Sequence, residues 1–293
     1  MRIAHIIVFH QDSIAIERLL QALAHPQFDV YLHLDQKVDL APFAYLSRYP
    51  NTYFVKNRKQ VRWGGFSQIE AMLNSLHEIL DSGRSYDFVN LLSGQDYPVV
   101  QADYIYDFFL QHRGRSFMTC ETPPTPWWNE AMHRFINYHF IDYGFRGKHR
   151  LGMALSAILP GRRFPLPYQL YGGSDAAYWI LSIEAANYIC SSLKKINKYR
   201  TFFKHTWSPD EFLVSTLLMN SPLKGTVIQE NYHYMDRSLG GSHPKVLTMQ
   251  DFPNIVNSGK FFARKFDRSV DEDILNRIDE ELLFPKNKIA RSK

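Results

Sequence analysis

The sequence predicts an α/β fold in which a mostly parallel sheet carries helices on its faces, within a single domain. Three observations support that class. Residues 3–9, 28–34 and 88–92 are compact apolar runs of strand length. Stretches between them repeat apolar residues at helical spacing. Strand and helix signals alternate, and a β-α-β order joins parallel strands through crossovers that lay helices on the sheet.

The first strand, Ile-Ala-His-Ile-Ile-Val-Phe, is interrupted only by His5. Asp12 or Ser13 then caps a helix whose apolar positions are Ile16, Leu19, Leu20 and Leu23. The second strand ends at Asp35, and a short third covers 53–55. Ser67 and Glu70 have capping-box spacing ahead of a helix with Ile69, Met72, Leu73, Leu76 and Leu80 on one face. The strand at 88–92 runs into Ser93-Gly94-Gln95-Asp96-Tyr97-Pro98. Ligands of parallel sheets bind beyond the carboxyl ends of the strands, which is where His10, Asp35, Gln95 and Asp96 fall.

Residues 114–172 read differently. Pro123, Pro124, Pro126, Trp127, Trp128 and then Arg162, Arg163, Pro165 and Pro167 predict a long irregular, aromatic insertion, which in a compact domain is usually functional or mobile. Order returns with a helix over 182–193 and the segment 208–218. Ser269 and Glu272 predict a second capping box, opening a terminal helix with Val270, Ile274, Leu275 and Ile278. The expected domain covers 1–285, with a basic tail at 286–293.

Composition bounds the function. The chain has 293 residues, 45% hydrophobic and 22% charged, which is a globular balance. A net charge of +5 without a basic stripe of interleaved aromatics argues against a nucleic-acid partner. Phosphate-bearing small molecules or an anionic membrane surface suit it better. Two cysteines, Cys120 and Cys190, make no disulfide framework and point to a reducing compartment. No apolar run is long enough to span a bilayer. The expected location is the cytoplasm, with peripheral contact to the inner membrane face through residues 147–163 and the tail as a further option beside a plain solvated loop.

Six motifs then occur in order: His33-Leu34-Asp35-Gln36-Lys37, Arg62-Trp63-Gly64-Gly65, Asn90 to Pro98, Gly172-Gly173-Ser174-Asp175, Ser208-Pro209-Asp210-Glu211 and Phe261-Phe262-Ala263-Arg264-Lys265-Phe266. Together they resemble the core-2/I-branching β-1,6-N-acetylglucosaminyltransferases of glycosyltransferase family 14, which include the peptide O-xylosyltransferases. The resemblance runs from about residue 3 to residue 280, and the Gly-Gly-Ser-Asp and Phe-Phe-Ala-Arg-Lys-Phe forms lean towards the xylosyltransferase branch. It implies a GT-A fold and metal-independent, inverting transfer of GlcNAc or xylose from a UDP-sugar to a glycan or glycolipid hydroxyl, with no cofactor. The family's eukaryotic members are cysteine-rich and membrane-anchored; this chain is neither, which implies a bacterial-type member. The alternative is a catalytically silent protein that binds carbohydrate or nucleotide sugar on the same scaffold.

Each site residue carries two readings. By resemblance Glu211 is the general base, with Asp210 its rival, yet Ser208-Pro209-Asp210-Glu211 is also the pattern of a capped helix start. By resemblance Lys265 holds the diphosphate-binding position with Arg264 beside it; otherwise the pair marks an exposed strand end. The family's second cation falls at Ser242, so His243 or Lys245 would have to replace it. Val8, His10, Asp35, Arg62 and Trp63 match the donor-nucleotide region, while Asp35 alone is a turn residue. Gly64-Gly65 suggests close backbone approach to a ligand. Asp96 either polarises a sugar hydroxyl or steadies the turn before Pro98. Gln95, Gly173, Ser174 and Asp175 are sugar-site candidates. Trp127, Trp128, Tyr171 and Trp207 either stack on an acceptor sugar or belong to the core. The one Asp-x-Asp, Asp271-Glu272-Asp273, sits at a helix start where acidic residues favour the dipole, so it is not expected to bind metal.

Overall fold

The computed structural model describes residues 1–285 apart from Leu166, Ile196 and Ser242, with the backbone alone at 195 and 197–199. Ser242 and the basic tail therefore lie outside the described residues. The strands are β1 (Ile3–Phe9), β2 (Phe28–Leu34), β3 (Thr52–Phe54), β4 (Phe88–Ser93), β5 (Asp96–Pro98), β6 (Ser116–Met118), β7 (Trp179–Ser182), β8 (Val227–Ile228), β9 (His233–Met235) and β10 (Phe262–Arg264). The helices are α1 (Ser13–Ala22), α2 (Phe66–Leu80), α3 (Ala102–Gln111), α4 (Pro126–Ile136), α5 (Lys148–Ile158), α6 (Ile183–Lys195), α7 (Asn197–Phe203), α8 (Leu213–Met219), α9 (Phe252–Asn257) and α10 (Asp273–Ile278).

The main sheet has the order β3-β2-β1-β4-β7-β6-β8. β3, β2, β1 and β4 are mutually parallel, β7 runs antiparallel to β4 and β6, and β8 is again parallel to β6. The predicted α/β class, mostly parallel and GT-A-like, is the fold that forms. Side chains alternate across it with period two. Ile3, Ile7 and Phe9 enter one apolar core with Leu19, Leu20, Phe109 and Ile274, while Ala4 and Ile6 enter the other with Ile69, Met72, Trp128 and Leu217. Helices therefore cover both faces. His5 is packed between Phe28 and Phe262, bonds Asn90 at 3.1 Å, and is pushed by burial down to about 3. It is a neutral core side chain. Among the described residues no helix is long and apolar enough to cross a membrane.

A second, three-stranded sheet, β5-β10-β9, sits beside the first. It follows directly from β4, because the turn after Ser93 feeds β5, and it places Arg264 opposite Asp96 in register.

Three expectations are corrected. The 114–172 stretch is not irregular throughout: it contains β6, α4 and α5. Thr125 caps α4 through the Trp128 N–H, and Pro126 takes the first helical turn, a start signal masked by the surrounding prolines. Ser67 and Glu70 form no capping box. The helix starts at Phe66, so Ser67 lies inside the first turn, accepting from the Arg62 N–H and donating to Asp142, while Glu70 is drawn to Lys59 and Arg200. Ser269 and Glu272 fail likewise. Asp271 accepts from the Ile274 N–H, Glu272 pairs with Arg268 at 2.7 Å, and Val270 is exposed. Asp12, in contrast, caps α1 as expected, through the Ala15 N–H.

Candidate active site

The carboxyl ends of β1, β2 and β4 open onto a cavity of about 450 Å³, within the range of small-molecule sites. Its wall brings together Val8, His10, Asp35, Gln95 and Asp96 from the sheet edge. Ser174, Asp210, Glu211, Arg264, Trp63 and His243 reach it from elsewhere. Convergence of the strand ends follows from parallel topology alone.

Glu211 sits on a short turn, Pro209–Glu211, between α7 and α8. The capped helix start does not form. Ser208 is left-handed (φ 50°) and its side chain makes no capping bond, a backbone state costing of order 1–3 kcal/mol in a non-glycine residue. The turn is clamped from two sides instead. The Ser208 N–H donates to the Gly64 carbonyl at 2.8 Å, and the Gly173 N–H donates to the Glu211 carbonyl at 3.2 Å. The freed Glu211 carboxylate accepts from Arg134 of α4 at 2.8 Å. Burial first, then the negative charge of Asp210, pushes the Glu211 carboxyl up, against Arg134 and Arg237. Burial also pushes up Asp210, whose Oδ1 is buried without a hydrogen-bond partner.

The clamp gives two neighbouring glycines different roles. A Cβ on Gly172 would lie 2.8 Å from the Glu211 carbonyl oxygen and 3.0 Å from both Phe212 and Trp127, whereas one on Gly173 meets nothing nearer than 3.9 Å. Gly172→Ala is therefore expected to displace the Glu211 turn and depress turnover at least tenfold, while Gly173→Ala stays near wild type in rate. Equal effects in steady-state kinetics would show that the close approach does not hold the turn.

Arg264 is only 9% exposed. Its guanidinium lies 4.1 Å over the Tyr178 ring, and its Nε is 3.4 Å from Asp96 Oδ1, at ion-pair distance but not aligned as a hydrogen bond. Burial pulls its pKa down and Asp96 and Asp175 oppose that. Asp96 steadies the turn as expected, its Oδ2 accepting from the Ser93 N–H, while its Oδ1 faces Arg264, a partner that was not expected. Asp35 likewise lines the cavity while accepting from the Lys37 and Val61 N–H groups.

Other predicted residues stand back from the wall. Lys245 pairs with Asp251 at 2.7 Å and is not a cavity cation. Lys265 is outside the lining but near enough to His243 for its charge, after burial, to hold that imidazole down. Arg62 and Trp207 are outside the lining, and Gly173 acts through its backbone. Asp175 holds Arg237 through two bonds of 2.9 and 2.7 Å. Gly64 and Gly65 admit Trp207 and Asp142 rather than a ligand; a Cβ at Gly64 would be 2.7 Å from the Trp207 indole. Trp128 and Tyr171 are buried in the protein, and Trp127 packs on Trp128 and Phe212. Trp63, by contrast, is 52% exposed on the cavity and tilted against His243.

Two residues went unforeseen. Arg134 is 77 positions from Glu211 and lies in the stretch read as irregular. Arg237 lines the cavity two residues beyond β9, the strand paired with the one bearing Arg264. Its position just past a strand end was the available signal. Among the described residues no group of three or more His, Cys, Asp or Glu side chains is arranged to hold a metal ion.

A GT-A-like sheet whose carboxyl edge gathers a half-buried acid pair and a buried guanidinium is the scaffold of a glycosyltransferase family. The chain belongs to the Core-2/I-Branching enzyme family, whose model matches residues 3–261. It is 27% identical over 314 residues to xylosyltransferase oxt of Drosophila pseudoobscura pseudoobscura, covering 97% of this chain and 34% of that protein. It is 27% identical over 304 residues to human xylosyltransferase 1, covering 95% of this chain and 30% of the relative. The chain thus spans about a third of the length of the curated relatives it matches. The crystal structure of mouse xyloside xylosyltransferase 1 aligns with TM-score 0.35 and 12% identity, over 75% of this chain and 83% of that one.

Proposed function

We propose that the chain transfers a sugar, GlcNAc or xylose, from a UDP-sugar to a hydroxyl of a glycan or glycolipid, with inversion and without a metal ion. The observation that carries this reading is a half-buried, clamped Glu211 sharing one cavity with Arg264. Glu211 takes the acceptor proton as the hydroxyl oxygen bonds to the anomeric carbon from the face opposite UDP. The bond from that carbon to the phosphate oxygen breaks, and an α-linked donor gives a β-linked product. A base whose proton affinity is raised towards neutrality suits this role. Arg264 and Arg237, fixed before the reaction, neutralise the departing diphosphate, with His243 and Lys265 close by. Asp35, Val8 and His10 contact the nucleotide, and Asp96 with Ser174 faces the transferred sugar. Cys120 and Cys190 are free thiols, which suits a reducing, cytoplasmic setting.

The test is turnover of UDP-GlcNAc and UDP-xylose in a panel of acceptors with and without EDTA, alongside thermal shift by each donor. Donor-specific stabilisation with EDTA-insensitive transfer is expected. Strong inhibition by EDTA would overturn metal independence. Binding without any turnover would leave a nucleotide-sugar-binding protein instead.

A further inference from the structure

Residues 143–174 contain five Arg and Lys and no Asp or Glu. The first part of this stretch is also unusually apolar for a surface. Tyr143, Phe145, Leu151, Met153, Ile158 and Leu159 are all exposed, Met153 at 66% and Ile158 at 80%. They lie on α5 and its flanks. That helix rests on the body through a narrow face: a Cβ on Gly152 would meet the Tyr138 carbonyl at 2.5 Å, and Ser156 accepts from the Tyr138 N–H. Leu151 and Ile158, two turns apart, fall on one line of the outward side.

The cations sort into two groups. Arg162 is consumed internally, donating to the Asn137, Phe202 and His205 carbonyls, with its charge held down by burial. Arg146, Lys148, Arg150 and Arg163 enter no ion pair among the described residues, although Lys148 donates to the Ile141 carbonyl at 2.7 Å. Asp142, the acid that opens the stretch, is turned inward onto Ser67 and cannot neutralise them. Exposed apolar side chains flanked in the chain by cations outside any ion pair, without an acid between them, match a bilayer surface carrying negative headgroups. Apolar groups enter the acyl boundary and cations stay with the phosphates. A second copy of this chain fits less well, because an isologous contact would bring the same cations against themselves.

We infer that α5 and its flanks, residues 143–163, are a docking surface for an anionic lipid bilayer. Through Asp142, Ser67 and Gly65 this surface adjoins the loop carrying Trp63 of the cavity wall. The test is co-sedimentation of the full chain with phosphatidylcholine vesicles, with and without phosphatidylglycerol, at low and high salt. Preferential, salt-sensitive binding to the anionic vesicles is expected. Arg146→Glu/Arg150→Glu and, separately, Leu151→Ser/Ile158→Ser should each reduce it at least tenfold with the melting temperature unchanged. The charge pair keeps the test decisive should the serine pair fail to fold. Equal partition onto both vesicle types, or undiminished binding by the folded variants, would overturn the assignment. So would an oligomer, seen by sedimentation velocity, that the serine pair dissolves in a chain showing no lipid preference. These readouts need no turnover, so their outcome is separate from that of the proposed reaction.

Discussion

Glu211→Gln is expected to lower transfer by about 10²–10⁴-fold and, in the same protein, to raise the melting temperature at alkaline pH. The two effects share a cause. The carboxyl is lifted by burial and by Asp210 more than Arg134 and Arg237 pull it down. A group that holds its proton more tightly folded than unfolded contributes stability below the ordinary carboxylate range. That contribution is lost as the pH rises through its raised value. Gln has no such dependence, so the variant's advantage is absent in acid and grows with pH. For the same reason wild-type kcat/KM should rise with pH through the raised value, since only the ionised carboxylate accepts the proton. Melting curves across pH, with single-turnover rates and UDP affinity, check both halves. Unimpaired turnover removes Glu211 as the base; a melting difference flat in pH removes the buried-carboxyl account.

Arg264→Met carries the second large effect. Asp96 Oδ1 is buried, lacks a hydrogen-bond partner, and has the Arg264 guanidinium 3.4 Å away. Removing one member of a buried pair leaves the other uncompensated, a loss of about 3–5 kcal/mol. Arg264→Met should therefore lose both stability and donor binding. Adding Asp96→Asn removes the stranded charge while keeping an oxygen for the Ser93 N–H, so the double variant is expected to recover most of the stability and none of the donor affinity. Denaturant unfolding and donor titration separate the two. Recovery of donor affinity in the double variant would end the case for Arg264 as the diphosphate cation.

Much of this was readable in the chain. The runs at 3–9 and 28–34 became β1 and β2 without adjustment, because a buried parallel strand needs little beyond continuous apolar character. His10, Asp35 and Asp96 were placed at one edge by topology, since loops after parallel strands all leave from the same side. Capping was read less well. Ser67, Ser208 and Ser269 carry the right spacing, but Asp142, Gly64 and Asp267 offer their backbone or side chains other partners. A cap is a single local bond, displaced by a distant partner at Ser67 and Ser208 and by a competing turn two residues back at Ser269.

What the sequence determined by itself is the class of fold, the sheet edge where ligands gather, and the ordered motifs that carry Glu211 and Arg264. Tertiary structure alone decided which way Glu211 faces, that Arg134 meets it, and that Arg237 rather than Lys245 joins Arg264 at the cavity. The physical reason is the range of the interactions. Strand and helix patterns repeat within a few residues. The direction of one carboxylate depends instead on Gly64, Arg134 and Gly173, brought together from three distant segments by the two cores on either side of the sheet.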